Sequence, residues 1–343
     1  MPRVERFLPL IEVGASIAVG IGVAALVLAL FGYDPRACLA AVFDPRYLAS
    51  NAGFILSNAA PLMCTAIAFA IPALAGLFNI GSEGQLYLGA LTSLVIAYLT
   101  GNPVLGIASG MIAGAGLAAL IAFLRLWMGI NEVVTSIMLN WTLYFVVLYV
   151  VTQVIPSPQA GYRSVSIPPS ARIGSPMGVP GDVLIAVGAA IVANYIVYRT
   201  RLGYSIRVSG FSPKTATYAG LDPRKASLYS MILAGAYAGL GGALIVQGIV
   251  YYIDDTMSSL YGVGFTGIGV ALLARNIPIA VPLSAFFISW VSLGSTRLEL
   301  LFGAPSELSQ VVTGAMLVAL AAPYAFRLIA HYVRSWRLVK AHG

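Results

Sequence analysis

Apolar stretches of about twenty residues recur from one end of the chain to the other. A helix needs about 20 mostly apolar residues to cross the hydrocarbon core of a bilayer. Ten stretches qualify as candidates, near residues 8–32, 54–78, 84–100, 103–124, 132–155, 182–198, 226–251, 264–275, 278–294 and 309–326. Only 9% of the residues are charged and 59% are hydrophobic, whereas soluble domains carry about 25% charged residues. The sequence predicts an all-α polytopic membrane protein, 1–343 forming one transmembrane domain of about ten helices, with eight or nine as alternatives.

The basic residues are distributed unevenly between the two predicted sides. With ten crossings and a cytoplasmic N-terminus, five of the 19 Lys and Arg residues fall outside, and the other fourteen fall inside. The five outer residues are Arg36, Arg46, Arg163, Arg172 and Arg297. This bias follows the positive-inside rule and predicts a cell-membrane protein with both termini in the cytoplasm. It also accounts for the net charge of +7 without a nucleic-acid partner. The basic segment 327–343 is expected to lie as a tail at the cytoplasmic lipid headgroups, and 8–32 is interpreted as a retained first span.

Several kinds of chemistry are absent from the sequence. The two histidines, His331 and His342, lie in the last thirteen residues, and the two cysteines, Cys38 and Cys64, have no metal-ligand spacing. Neither a metal site nor a Ser-His catalytic site is therefore expected within the membrane. The phosphate-binding loop G-x-x-x-x-G-K-[ST] does not occur. We expect no enzyme activity, no metal and no cofactor in this chain.

Residues 78–89, "FNIGSEGQLYLG", are polar where lipid-facing sequence would be apolar. Glycines near this stretch, at 76, 81 and 84, weaken a continuous helix, and transporters often expose polar groups at broken helices. We predict a broken or re-entrant helix here whose side chains line a solute pathway: Asn79, Ser82, Glu83 and Gln85. Glu83 has an alternative role, in which its carboxylate accepts backbone N–H bonds that hold the break together.

Further polar residues extend the candidate pathway. In "NEVVTSIMLN" (131–140), Asn131 and Glu132 fit the start of a helix, but Asn140 lies two turns deeper and is assigned to the pathway with Gln247. A second glycine-interrupted stretch, 262–278, predicts another broken helix. Four residues are left open between pathway and structural roles: Asn131, Glu132, Phe265 and Asn276.

Two pairs of glycines have the GxxxG spacing that lets helices approach closely. They are Gly110 with Gly114 and Gly235 with Gly239. We assign both pairs to helix packing.

The inner segment 199–225 carries six basic residues and one acid. In "GFSPKTATYAG", Ser212 fits an N-cap, Pro213 the first helical position and Gly220 the end of a short helix. "LDPRKAS" repeats the start signal with Asp222 and Pro223. The short helix is either a simple connector or a docking element for a cytoplasmic partner.

Four stretches together resemble the permeases of ATP-binding cassette (ABC) importers for branched-chain amino acids, ribose and nucleosides, in the nucleoside or simple-sugar branch. The stretches are "GLFNIGSEGQLYLGA", "NEVVTSIMLN", the segment from Thr200 to Ala243, and "GFTGIGVALLARNIP". Arg275 stands where this family commonly has a glycine nearby. The resemblance implies a second permease, identical or homologous, two cytoplasmic ATPase subunits that bind the ATP, and an extracellular solute-binding lipoprotein. It makes 199–225 the coupling loop, with five residues in ATPase coupling: Ser212, Pro213, Lys214, Tyr218 and Arg224.

Other functions stay open at this point. An ion- or proton-coupled secondary transporter of a small polar solute is the alternative that the residues alone allow. An intramembrane enzyme is a third, and the absence of histidine from the body of the chain counts against it. The sequence does not name the solute.

Overall fold

The computed structural model describes residues 8–321, which fall into two compact units. Among the described residues, one unit comprises 8–50 and 290–321, and the other comprises 51–289. The helices are α1 (Leu8–Leu30), α2 (Pro35–Val42), α3 (Pro45–Ser50), α4 (Ala52–Leu74), α5 (Ser82–Thr100), α6 (Pro103–Met128), α7 (Glu132–Tyr149), α8 (Gly181–Arg199), α9 (Arg201–Phe211), α10 (Pro213–Tyr218), α11 (Pro223–Leu244), α12 (Val263–Leu273), α13 (Val281–Phe302) and α14 (Ser306–Ala321). The predicted basic tail, 327–343, lies outside the described residues.

Each of the ten predicted apolar stretches overlaps one of these helices. Six of the helices are long and apolar enough to cross a membrane, so a multi-pass protein is confirmed, whereas the number of about ten crossings is not. The six candidates are Ala52–Leu74, Pro103–Met128, Glu132–Val154, Gly181–Arg199, Pro223–Val250 and Pro278–Phe302.

The loop between α7 and α8 departs from the all-α prediction. Strands β1 (Pro156–Ser157) and β2 (Ala160–Ser164) form an antiparallel hairpin in which Ser157 lies opposite Ala160. The hairpin packs back on the chain after α11, since the Ser164 N–H donates to the carbonyl of Ile253 (2.9 Å). Two strands this short leave no alternating pattern that a sequence reading can detect.

Helix α11 is the centre of the 51–289 unit and packs against α4, α5 and α6. The close approach depends on the glycines of the two GxxxG pairs. A Cβ on Gly239 would collide with the backbone of Gly110, and one on Gly114 would collide with the carbonyl of Gly235. The assignment of these glycines to packing is confirmed.

The predicted breaks exist but are shifted. The first lies at residues 75–81, where Gly76 has a φ of +77°, and α5 is regular from Ser82, so Gly84 lies inside a helix. The second precedes and follows the 11-residue helix α12. Arg275 and Asn276 at its end have φ angles of +54° and +56°. A left-handed turn here therefore forms without the glycine common in the family, at a backbone cost of about 1–3 kcal/mol per residue.

The basic segment 199–225 is more helical than its sequence suggested. The α10 helix and the start of α11 lie as predicted, capped by Ser212 and Asp222. The 11-residue α9, capped by Thr200, was not predicted. The charged residues at 201 and 207 make this segment look polar in the sequence, although Ile206 on its other side is fully buried.

In the other unit, α1 packs against α14. Arg297 of α13 closes the loop between α2 and α3. Its Nη1 donates to Asp44 Oδ2 (2.9 Å) and to the carbonyl of Ala41 (3.0 Å), and its guanidinium lies over the ring of Tyr47. This contact holds the short helices α2 and α3 to α13.

Candidate solute pathway

The six side chains predicted for the pathway are all buried in this structure. None is more than 5% exposed, and each has hydrogen-bond partners within the 51–289 unit. They are Asn79, Ser82, Glu83, Gln85, Asn140 and Gln247. Their partners show how the broken segment is held.

Asn79 satisfies the backbone around the first break. Pro72 lacks the N–H that would pair with the carbonyl of Ala68, and Asn79 Nδ2 donates to that carbonyl instead (3.0 Å). The Asn79 Oδ1 accepts from the N–H of Gly81 (3.1 Å) and from Gln85 Nε2 (3.2 Å). The Asn79 amide therefore replaces helix hydrogen bonds on both sides of the gap, which is needed where water is excluded.

Asn140 of α7 supports the same segment from the side. Its Oδ1 accepts from the N–H of Gly84 (2.9 Å), and its Nδ2 donates to the carbonyl of Ile80 (3.1 Å). Ser82 makes a longer contact, donating to the carbonyl of Gly264 (3.4 Å). The depth of Asn140 in α7, which capping did not explain, is explained by these bonds.

Glu83 joins the two broken segments. Its Oε1 accepts from the Tyr87 hydroxyl (2.5 Å) and the Gly262 N–H (2.5 Å). Its Oε2 accepts from the N–H groups of Gly264 (2.6 Å) and Phe265 (3.2 Å). These three amides are the free donors at the N-terminal end of α12, so a carboxylate from α5 caps a helix some 180 residues away. Of the two roles left open for Glu83, this geometry favours the structural one, with the break it holds lying at 262–265.

Close approach makes this capping possible. A Cβ on Gly264 would lie 2.6 Å from the Cα of Glu83, and one on Gly267 would collide with Thr65 of α4. The glycines of 262–278 thus let α12 pack against α4 and α5. The sequence could not show that Glu83 binds residues 262–265, because they lie some 180 residues away along the chain.

Gln247 lies in the π-helical turn Ile245–Val250 that ends α11. With its amide oriented so that both polar atoms are satisfied, Oε1 accepts from the hydroxyl of Ser93 (2.8 Å) and Nε2 donates to the carbonyl of Pro103 (3.1 Å). Gly106 leaves room for this amide, which therefore links α11 with α5 and α6.

The four residues left open between pathway and structure have distinct surroundings. Asn131 caps α7 through Val133 N–H (2.9 Å), and Glu132 pairs with Arg125 Nε (3.0 Å). The side chain of Phe265 is 44% exposed while its N–H binds Glu83. Asn276 Oδ1 has no hydrogen-bond partner among the described residues.

The residues predicted for ATPase coupling lie on and beside α10. Ser212 Oγ accepts from the Thr215 N–H (3.3 Å), Pro213 is the first helical residue, and Lys214 and Arg224 are exposed. Tyr218 is 93% exposed. The structure brings these five residues together on one short surface segment.

Two buried residues with polar side chains were missed from the sequence. Tyr87 lies one helical turn after Glu83, a spacing that could have suggested the contact. Asp182, 1% exposed, is the second residue of α8 and, after Pro180 and Gly181, reads as part of an ordinary helix start. Among residues 8–321 no three His, Cys, Asp or Glu side chains are grouped as metal ligands.

Comparison with known proteins gives the family. A family profile described as "Branched-chain amino acid transport system / permease component" matches residues 51–321. The glucose ABC transporter permease protein of Haloferax volcanii is 32% identical over 91% of this chain and 86% of its own length. The nucleoside ABC transporter permease protein NupB of Lactococcus lactis is 30% identical over 92% and 91%, and the guanosine ABC transporter permease protein of Bacillus subtilis is 27% identical over 95% and 97%. The chain therefore belongs to the branched-chain amino acid transport system permease family and is a permease subunit of an ABC importer.

Proposed function

We propose that this permease carries a neutral, hydroxyl-rich solute, a nucleoside or a simple sugar such as ribose, across the cell membrane. The support is that the similar permeases are those of glucose, nucleoside and guanosine transporters. An extracellular solute-binding lipoprotein would deliver the solute, and separate cytoplasmic ATPase subunits would bind and hydrolyse ATP. The chain itself needs no cofactor.

The observation that carries the coupling to an ATPase is the exposure of α10. This helix has its own cap at Ser212, yet Tyr218 is 93% exposed and Phe211, just before it, is 91% exposed. Large aromatic side chains so exposed on a short capped helix are typical of anchor residues that insert into a partner. We assign α10 to a groove of the ATPase, with Lys214 and Arg224 at its rim.

The same assignment gives an orientation. If α10 faces the ATPase, the basic segment 199–225 is cytoplasmic, which agrees with the positive-inside rule and places both termini inside. The hairpin at 156–164 then faces outward, where the binding protein approaches. A second permease, a copy or a relative, would complete the pathway.

The polar network suggests how motion passes through the protein. Glu83 ties α5 to α12, so the two broken segments are expected to move together as one body. Backbone contact also joins this body to the coupling region, because a Cβ on Gly210 at the end of α9 would collide with the carbonyl of Leu74 at the end of α4. A hinge motion driven at α10 would reach residues 75–81 through that contact.

The test is ATP hydrolysis by the complex of this permease, its ATPase and its binding protein in proteoliposomes. The binding protein is loaded in turn with nucleosides, pentoses and hexoses. Stimulation by guanosine, ribose or glucose is the expected result. Stimulation by amino acids alone would contradict the solute class, and failure to assemble with any ATPase would contradict the coupling assignment.

A charge-reversal pair tests the docking surface. Lys214→Glu with Arg224→Glu is expected to abolish co-purification of the ATPase, because a rim of positive charge becomes negative. The matched control is Arg36→Glu with Arg46→Glu, two exposed arginines on the predicted outer side. Equal recovery of the ATPase with both pairs would show that charge near α10 does not dock the partner.

A further inference from the structure

Two carboxylates are almost fully buried among the described residues, and they differ in how they are satisfied. Each of the two carboxylate oxygens of Glu83 accepts two hydrogen bonds. At Asp182, Oδ1 accepts from the Val183 N–H (3.0 Å) and, weakly, from the Ser57 hydroxyl (3.4 Å). Asp182 Oδ2 is buried and has no partner among residues 8–321. Buried polar atoms without a partner are rare in native proteins and each requires a reason.

Helix stability does not supply that reason. The positive end of α8 favours a carboxylate in its first turn, but the Val183 N–H binds Oδ1, and Oδ2 is left without a donor among the described residues. In the described part of the chain no Lys or Arg forms an ion pair with it. A buried carboxylate left uncompensated in a membrane-spanning segment marks a functional site in most membrane proteins.

Two features surround Asp182: a carbonyl on the neighbouring helix that lacks its helix donor, and a residue without a side chain. Ser57 of α4 lies four residues before Pro61, so the carbonyl of Ser57 receives no N–H from that proline. On the other side is Gly248, where a Cβ would lie 3.2 Å from Asp182 Oδ2. Gly248 belongs to the π-helical turn Ile245–Val250, and such turns frequently occur at functional sites. Its neighbour in the chain is Gln247, already assigned to the pathway.

We propose that Asp182 Oδ2 accepts a hydrogen bond from an alcohol hydroxyl of the transported solute, with Ser57 holding the other oxygen in place. An unpaired carboxylate oxygen of this kind selects ligands that donate hydrogen bonds and discriminates against analogues that lack the hydroxyl. A sugar, or the ribose of a nucleoside, is the ligand class that fits. This inference rests on the proposed function and assigns one solute contact within it.

The test measures solute binding to the assembled permease–ATPase complex in nanodiscs without the binding protein, so that the selectivity of the latter does not enter. Saturation-transfer NMR titrations compare guanosine with 2′,3′-dideoxyguanosine, and glucose with 2-deoxyglucose. The wild type is expected to prefer the hydroxylated member of at least one pair by about tenfold to a hundredfold, the worth of a hydrogen bond to a charged group. Asp182→Asn is expected to reduce that preference to less than about threefold.

Controls separate this role from a structural one. Asp255→Asn, an exposed carboxylate of the loop after α11, is expected to retain the wild-type preference. If Asp182→Asn does not assemble, Ser57→Ala serves instead and is expected to lower the preference severalfold. An unchanged preference in the variant that assembles overturns this inference alone. Absence of binding of all four probes to the wild type, together with no ATP-dependent uptake of guanosine or glucose, overturns the proposed function and this inference with it.

Discussion

The substitution Glu83→Gln separates the two roles that the sequence allows for this residue. The amide keeps the size of the carboxylate but replaces one acceptor oxygen with a donor. In the better of its two orientations, the new Nε2 takes the place of Oε1 and faces the Tyr87 hydroxyl and the Gly262 N–H. The hydroxyl can turn to accept a hydrogen bond from Nε2, but the Gly262 N–H is a donor and cannot. One buried backbone donor is left unpaired, at a cost of about 1–3 kcal/mol, and the bonds from Gly264 and Phe265 lose the strength of a charged acceptor. The N-terminal end of α12 is expected to lose about 2–5 kcal/mol of local stability.

Hydrogen exchange at the amides of residues 262–266 measures this directly. Because 1.4 kcal/mol is tenfold in an equilibrium constant, exchange should accelerate by at least about 30-fold where local opening controls it. Tyr87→Phe keeps all three backbone bonds and should accelerate exchange much less, and Glu307→Gln, exposed in the first turn of α14, should leave it unchanged. Unaltered exchange in Glu83→Gln, with a changed solute preference, would refute the structural role and restore the pathway role.

Three further perturbations follow from other parts of the structure. Gly239→Ala inserts a Cβ against the backbone of Gly110 and should lower the free energy of unfolding by about 1–3 kcal/mol. Gly116→Ala is the control and should not lower it, because its Cβ meets nothing within 4 Å. Equal stability of the two variants would contradict the packing argument. The guanidinium of Arg297 holds the pKa of the Asp44 carboxyl below its usual value, so the ion pair stabilises the protein fully at a pH above that usual value and loses its effect as the pH falls through the lowered pKa. The difference in thermal stability between wild type and Asp44→Asn should therefore shrink below about pH 4. A difference that stays constant with pH would argue against the ion pair. Asn79→Asp cannot donate to the carbonyl left by the proline and should cost about 1–3 kcal/mol in the free energy of unfolding, measured against Asn102→Asp, whose cap needs only the oxygen.

Local signals predicted the parts of the fold that depend on local contacts. Asp222 followed by Pro223, Ser212 followed by Pro213, and Asn131 all start helices where expected, because a cap and its backbone partners lie within three residues of each other. The ten apolar stretches each located a helix, because a run of apolar residues is likewise a property of the local sequence. The hairpin and α9 escaped detection because the first is too short for a pattern and the second hides its apolar side behind charges.

The partners across the fold were not predictable in this way. That Glu83 caps α12, that Asn140 braces residues 80–84, and that Asp182 faces Gly248 each depend on which helices pack together. No property of the separate segments specifies that packing. The sequence therefore identified six buried polar residues and assigned them to the pathway, with an alternative role only for Glu83, and it missed Tyr87 and Asp182.

Polarity in a membrane-spanning segment has two physical explanations, and the hydrogen-bond partners distinguish them. A break in a helix frees backbone groups that lipid cannot satisfy, so side chains such as Asn79 and Asn140 are required simply to let the chain stop and restart. A side chain serving that purpose has its hydrogen-bonding capacity filled by the protein, as Glu83 does. A side chain that meets the solute must keep some capacity for it in at least one conformation. By this criterion the dense polar motif at 78–89 is mainly the support of the pathway, and the single carboxylate of Asp182, inconspicuous in the sequence, is the better candidate for contact with the solute.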